Sequence, residues 1–163
     1  LVAAGFRGYE VSNWARPGHE SRHNLLYWTR RPVEAVGPGA HAFDGAVRRW
    51  TTASLEQYIA ALRPTDGGRP RLPPGGGEVL DAETARAEAW ILGLRTDRGL
   101  PTVAAEEPPG RDVVAWAVAA GLVEIAPAIP PAASLRRPLA ADPRVRLTHR
   151  GRLLSNEVFV RFV

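Results

Sequence analysis

Between Pro64 and Gly77 the chain reads Pro-Thr-Asp-Gly-Gly-Arg-Pro-Arg-Leu-Pro-Pro-Gly-Gly-Gly, and nine of these fourteen residues are proline or glycine. Proline lacks the amide that a helix interior or an inner strand must donate, and glycine loses the most backbone freedom on ordering. Of the side chains here, Leu72 is the one suited to a core. The segment predicts a linker or long surface loop, set at residues 64–80, between a first part (1–63) and a second (81–163). At 163 residues the chain is about one domain long, and the first part is too short for a closed barrel or a full doubly wound sheet.

Within the first part, Gly8–Asn13 reads as a short strand ending in polar residues, and Ser21–Arg30 as a short helix. Val33–Val36 is a second strand, broken by Gly37-Pro38-Gly39. Residues 43–51 form a hairpin turning at Asp44-Gly45. Ser54 with Gln57 three residues on is a capping box, opening a helix to Leu62. Strand, helix, strand, helix predicts a layer of β/α type. With nothing beside it, Tyr9–Asn13 would be an open sheet edge, leaving the isolated first part sticky.

The second part has another rhythm. Asp81 caps a helix through Arg95, and Val113–Ala120 is a second helix ended by Gly121. Leu122–Ile125 is a strand, followed by a Pro- and Ala-rich excursion over 127–143. Arg144–Thr148 alternates polar with apolar as a half-buried strand does. Thr148 then caps a last helix, with Leu153, Leu154, Val158 and Phe162 at helical spacing. Two helices, two strands and a closing helix make a winged-helix-like domain.

The chain has no cysteine and no methionine, and all 21 basic residues are arginine. A chain without cysteine forms no disulfide, no thiolate zinc site and no iron–sulfur cluster of its own. Leu1 in place of methionine reads as the start of a piece of a longer protein, and no targeting signal or apolar run of membrane-spanning length is visible. The net charge of +4 raises nucleic acid as a partner, but the arginines are scattered along the chain and argue against such a surface.

Histidine is the side chain that titrates near neutral pH, and there are four. His19 and His149 read as solvated. His23 opens His23-Asn24-Leu25-Leu26-Tyr27-Trp28, where helical spacing puts it on one face with Leu26 and Tyr27, and Asn24 with Tyr27 and Trp28. A nitrogen ligand beside flat rings suits a planar cofactor such as haem; a helix packed through Leu25 and Trp28, with His23 hydrogen-bonded at its end, explains the same run. Gly37-Pro38-Gly39-Ala40-His41 follows a strand, and small residues there let a ligand such as a nucleotide approach the backbone. No phosphate loop, nucleophile motif or catalytic constellation stands out.

The runs Gly8-Tyr9-Glu10-Val11-Ser12-Asn13-Trp14-Ala15-Arg16-Pro17-Gly18, Ser21-Arg22-His23-Asn24-Leu25-Leu26-Tyr27-Trp28 and Gly37-Pro38-Gly39-Ala40-His41 resemble the HemW family. So, in order, do Gly93-Leu94-Arg95, Gly99-Leu100, Gly121-Leu122-Val123 and Leu147-Thr148-x-x-Gly151-Arg152-Leu153-Leu154-Ser155-Asn156-Glu157-Val158. These are radical S-adenosylmethionine proteins similar to oxygen-independent coproporphyrinogen III oxidase and regarded as haem chaperones. The resemblance implies α/β plus α+β architecture: the last strands and helices of a partial (β/α) barrel (1–63), then a small winged-helix-like C-terminal domain (81–163). It implies a [4Fe–4S] cluster on cysteines upstream of Leu1, S-adenosylmethionine, and haem, in a cytoplasmic protein linked to porphyrin biosynthesis. His23, Asn24, Tyr27 and Trp28 become haem-contact candidates, and Gly37, Gly39, Ala40 and His41 candidates for lying near S-adenosylmethionine. The partners implied are haem and a haem-acceptor protein. The 163 residues alone, without cluster ligands, should be inactive.

Two other functions compete. One is the oxidase, which decarboxylates coproporphyrinogen III; the His-Asn-Leu-Leu-Tyr-Trp run argues against it. The other is a winged-helix DNA-binding module, for which the helix Asp112–Ala120 offers little beyond Asp112, Trp116 and the flanking Arg111.

Overall fold

The computed structural model describes residues 1–63, 68–127 and 142–163. In chain order the elements are β1 (Arg7–Gly8), β2 (Trp14–Ala15), α1 (Arg22–Trp28), β3 (His41–Phe43), β4 (Val47–Thr51), α2 (Leu55–Leu62), β5 (Gly75–Val79), α3 (Ala82–Arg95), β6 (Leu100–Pro101), α4 (Gly110–Ala119), β7 (Val123–Ala126), β8 (Arg144–Leu147), α5 (His149–Leu153) and α6 (Ser155–Phe159). Helix and sheet are mixed, and every strand pair among the described residues is antiparallel. The parallel pairing that a β/α layer uses does not occur among them.

Packing divides the chain into two units, Leu1–Thr29 with Glu83–Val163, and Arg30–Ala82. These divisions differ from the boundaries at 63 and 80 read from composition. The reason lies in long-range contacts that composition does not encode, described for each unit below.

The first unit has an apolar core shared by α3, α4 and a sheet of order β6-β8-β7. Strand β8 carries the expected alternation, with Val145 and Leu147 inward and Arg144 and Arg146 toward solvent. Trp90 of α3 stacks on Phe162 with ring centroids 4.9 Å apart. Thr148 caps α5, its Oγ1 accepting from the Gly151 amide at 2.9 Å. The closing helix is not one helix. It breaks at Leu154, which has φ −112° and ψ 28°; Leu153 and Leu154 are exposed while Val158 and Phe162 lie in the core. The excursion expected over 127–143 lies for the most part outside the described residues.

Residues 1–29 belong to this unit through the turn after β1. Tyr9 and Glu10 are buried, Glu10 bridges Thr96, and the Asp97 amide donates to the Tyr9 carbonyl at 3.0 Å. Arg152 donates to the carbonyls of Gly8 and Glu10. The open edge expected at Tyr9–Asn13 therefore does not form: residues from α3 through α5 cover it.

The second unit is a meander, β3-β4-β5, with α2 beside it in sequence. The hairpin turns where expected, Asp44 Oδ1 accepting from the Ala46 and Val47 amides. Ser54 caps α2 by accepting from the Gln57 amide, whereas the Gln57 side chain accepts from the Thr52 hydroxyl instead of closing the box. Val33–Val36 is not a strand; Pro32 and Pro38 flank it, and it contributes one bridge, Val33 to Phe43. The expected linker departs most. Gly75–Val79 pairs with Thr51–Val47 as an edge strand, with Gly76 opposite Trp50. A Cβ on Gly75 would overlap the Trp50 carbonyl, and one on Gly76 would stand 2.6 Å from the Trp50 indole. Here glycine permits the strand, because the indole lies where a side chain would stand. Residues 64–67 of the same expectation lie outside the described residues.

Candidate functional site

Helix α1 begins at Ser21, whose Oγ accepts from the Asn24 amide at 3.3 Å. Its seven residues include none that is fully buried, but they are not alike. Asn24, Leu25 and Trp28 are half-buried, while His23, Leu26 and Tyr27 are exposed. The His23 and Tyr27 rings meet edge to face, 5.0 Å between centroids and 88° between planes, as the spacing of four residues allows. The helix thus has a packed side through Leu25 and Trp28 and a presented side through His23 and Tyr27.

Trp28 is held from below. The Arg95 guanidinium, at the end of α3, lies 4.5 Å from the centre of the Trp28 ring. Arg95 Nη2 in turn stands 3.4 Å from Glu10 Oε2. Glu10 is fully buried, and its Oε1 accepts from the Ser12 amide and from Asn13 Nδ2, each at 2.7 Å. Neither Trp28 Nε1 nor Arg95 Nε, both buried, has an acceptor among the described residues. Nearby, Asp97 follows α3 in the turn to β6; burial raises its carboxyl above the usual range, against the lowering pull of Arg152 and Arg98.

The Gly37–His41 run belongs to the second unit. It leads into β3, which starts at His41, whereas a strand end is expected before it, and three of its amides are already used. Gly37 N donates to Tyr58 Oη at 3.0 Å, Gly39 N to the Thr52 carbonyl at 2.8 Å, and Ala40 N to Thr51 Oγ1 at 3.2 Å. Thr51 Oγ1 itself donates to the Gly37 carbonyl at 2.6 Å. These three amides are engaged within the unit, while the face of Gly37 is open and the His41 imidazole is exposed, 6.2 Å from the Trp50 ring. A groove of about 480 Å³ in this unit runs between Trp50, Tyr58, Leu62, Leu72 and Gly76. None of the residues from Gly37 to His41 lines it. The two candidate sets therefore sit in different units.

Haem asks for an accessible nitrogen ligand and a flat apolar surround. His23 with Tyr27 and Leu26 on the presented side of α1 fits that demand. The chain has no cysteine to bind a cluster, and no group of three or more metal-binding side chains occurs among the described residues. No helix among them is long and apolar enough to cross a membrane. Glu10, Arg95 and Trp50 were not singled out from sequence, although Glu10 and Arg95 lie inside the runs Gly8–Asn13 and Gly93–Arg95; their positions 85 residues apart hid the pairing.

No family model matches the chain. The heme chaperone HemW of Mycobacterium tuberculosis is 37% identical across 97% of this chain, and that of Bacillus subtilis 30% identical across all of it. The chain is HemW-like. It spans 35% and 40% of the length of those two relatives. A further relative, the bovine mitochondrial radical S-adenosyl methionine domain-containing protein 1, is 38% identical over 61% of the HemW-like chain and 23% of its own. Among solved structures, the coproporphyrinogen III oxidase HemN of Escherichia coli, described as a radical SAM enzyme, superposes with a TM-score of 0.61. It covers 99% of this chain and 38% of its own at 15% identity, so it shares the fold.

Proposed function

We propose that this chain is the C-terminal part of a HemW-like radical S-adenosylmethionine protein that binds haem and passes it to an acceptor protein. Supporting this are the sequence likeness to the two HemW proteins and, within it, the presented ring pair His23–Tyr27. His23 would supply the nitrogen ligand to haem, Tyr27 would hold the imidazole edge-on, and Asn24 and Trp28 would back them from the packed side. In the longer protein the cluster and S-adenosylmethionine would be held by residues outside this chain, His41 and Gly37 being the points of contact left to it. The correspondence of 1–63 to the end of the barrel and of 81–163 to the C-terminal domain is one of sequence order, since packing divides the chain elsewhere. A cytoplasmic protein fits this role.

Haemin titration of the chain, wild type against His23→Ala, tests the reading. The expected result is loss of the wild-type Soret band and at least about tenfold weaker binding, the scale of a lost metal-ligand partner. An unchanged Soret band and affinity remove His23 from the site. The oxidase reading draws on the fold shared with HemN. It is tested by supplying the longer protein with reduced cluster, S-adenosylmethionine and coproporphyrinogen III under anaerobic conditions; formation of protoporphyrinogen would replace the chaperone reading.

A further inference from the structure

Three runs of the sequence, far apart in the chain, meet at one place in the first unit: Gly8–Asn13 through Glu10, His23–Trp28 through Trp28, and Gly93–Arg95 through Arg95. What joins them is a guanidinium with a carboxylate on one side and an indole on the other. Glu10 is buried, and contacts other than Arg95 also hold it: the Ser12 amide and Asn13 Nδ2 donate to its Oε1. Arg95 is about three-quarters covered and stands at the end of a helix of fourteen residues, whose Trp90 and Leu94 lie in the core. The anchor is therefore tied to packed structure on both sides. Helix α1 is the reverse: seven residues, none fully buried, too short to be stable by its own hydrogen bonds. Its last residue, Trp28, rests on that anchor, while Tyr27 just before it, and His23 one turn before Tyr27, stand on the exposed side.

We propose that Arg95 is the positioning residue of α1: clamped by Glu10, it holds the Trp28 indole and so fixes the direction in which His23 and Tyr27 are presented. Arginine suits the task as lysine does not, since a planar guanidinium can lie on a ring face while pointing a nitrogen at a carboxylate. The proposal rests on the reading of α1 as the haem-contact helix for its purpose, and on the ion pair and ring contact for its mechanism.

The experiment uses the full chain and two readouts, amide hydrogen exchange over residues 22–28 and haemin titration with the Soret band recorded. Arg95→Gln is expected to speed exchange across α1 about tenfold and to weaken haemin binding about fivefold to thirtyfold. Exchange in β8 should stay slow, and the Soret maximum of the bound fraction should stay where His23 puts it. Arg95→Lys keeps the charge toward Glu10 but not the flat group over the indole, and should recover less than half of the loss. Trp28→Leu removes the stack while leaving the ion pair, so the same rise in α1 exchange is expected there should Arg95→Gln fail to fold. Wild-type exchange over 22–28 in both Arg95→Gln and Trp28→Leu overturns the clamp. Faster exchange with unchanged haemin affinity overturns its purpose. His23→Ala keeps the two readings apart: a wild-type Soret band in that variant sinks the haem reading, while α1 exchange in Arg95→Gln still decides the clamp.

Discussion

Gly76→Ala is the substitution that most directly probes why a run of three glycines forms a strand. On an exposed edge strand with no positive φ, glycine to alanine ordinarily stabilises by about 0.4–1 kcal/mol, because the unfolded chain has fewer states to lose. Gly76 is exposed and its φ is unexceptional, so that expectation applies here too. The structure reverses the sign. The new Cβ would stand 2.6 Å from Cζ2 and 2.7 Å from Cε2 of Trp50, about an ångström inside ordinary contact. Either the indole swings off the strand or β5 lifts away from β4. Overpacking of this kind costs about 1–3 kcal/mol, so the net effect is a loss of about 1–2 kcal/mol. In a Trp50→Ala background the obstacle is gone and the same substitution should stabilise by about half a kcal/mol. The double-mutant cycle thus carries a coupling near 2 kcal/mol between residues that form one cross-strand pair. Urea unfolding of the four proteins, followed by far-UV circular dichroism, measures it. Gly76→Ala stabilising in both backgrounds would refute the packing argument and return the glycines to the status of a linker.

Val145 is fully buried at the centre strand of the β6-β8-β7 sheet, and Val145→Ala should cost about 2 kcal/mol, read as a lower urea midpoint with unchanged slope. Asp97 makes stability depend on pH in the less common direction. Its folded carboxyl is raised above the ordinary value of 3.8, chiefly by burial, so between these two values the folded state binds more protons than the unfolded one. Its contribution is therefore full below 3.8 and is lost as the pH rises through the raised value, and Asp97→Asn should flatten that part of a stability-against-pH profile. A profile unchanged by Asp97→Asn would show that the carboxyl is not desolvated as described.

What could be read from sequence was local. The Ser54 and Thr148 caps, the Asp44 turn and the alternation of β8 are each decided by residues within four positions of one another, and each stands in the structure. The His23–Tyr27 ring pair was legible for the same reason: the two residues are one helical turn apart. Misread elements depend on a distant partner. Gly75–Val79 is a strand because Trp50 lies against it, and glycine content alone points the other way. The closing helix breaks at Leu154, although the apolar spacing continues through it. Glu10 and Arg95 sit in recognisable runs, yet nothing in either run names the other.

The turn at Tyr9–Glu10 has a further consequence for the order in which the chain can fold. Its partners Thr96 and Asp97 come some 85 residues later, and Arg152 more than 140. On a ribosome delivering a handful of residues each second, Leu1–Thr29 waits for the rest of its unit while Arg30–Ala82, whose contacts are contiguous in sequence, emerges complete. Non-local closure of this kind is slow. Until Arg95 emerges, Glu10 lacks its guanidinium and Trp28 its ring contact, so the segment bearing the candidate ligand His23 is made well before the residue that holds it.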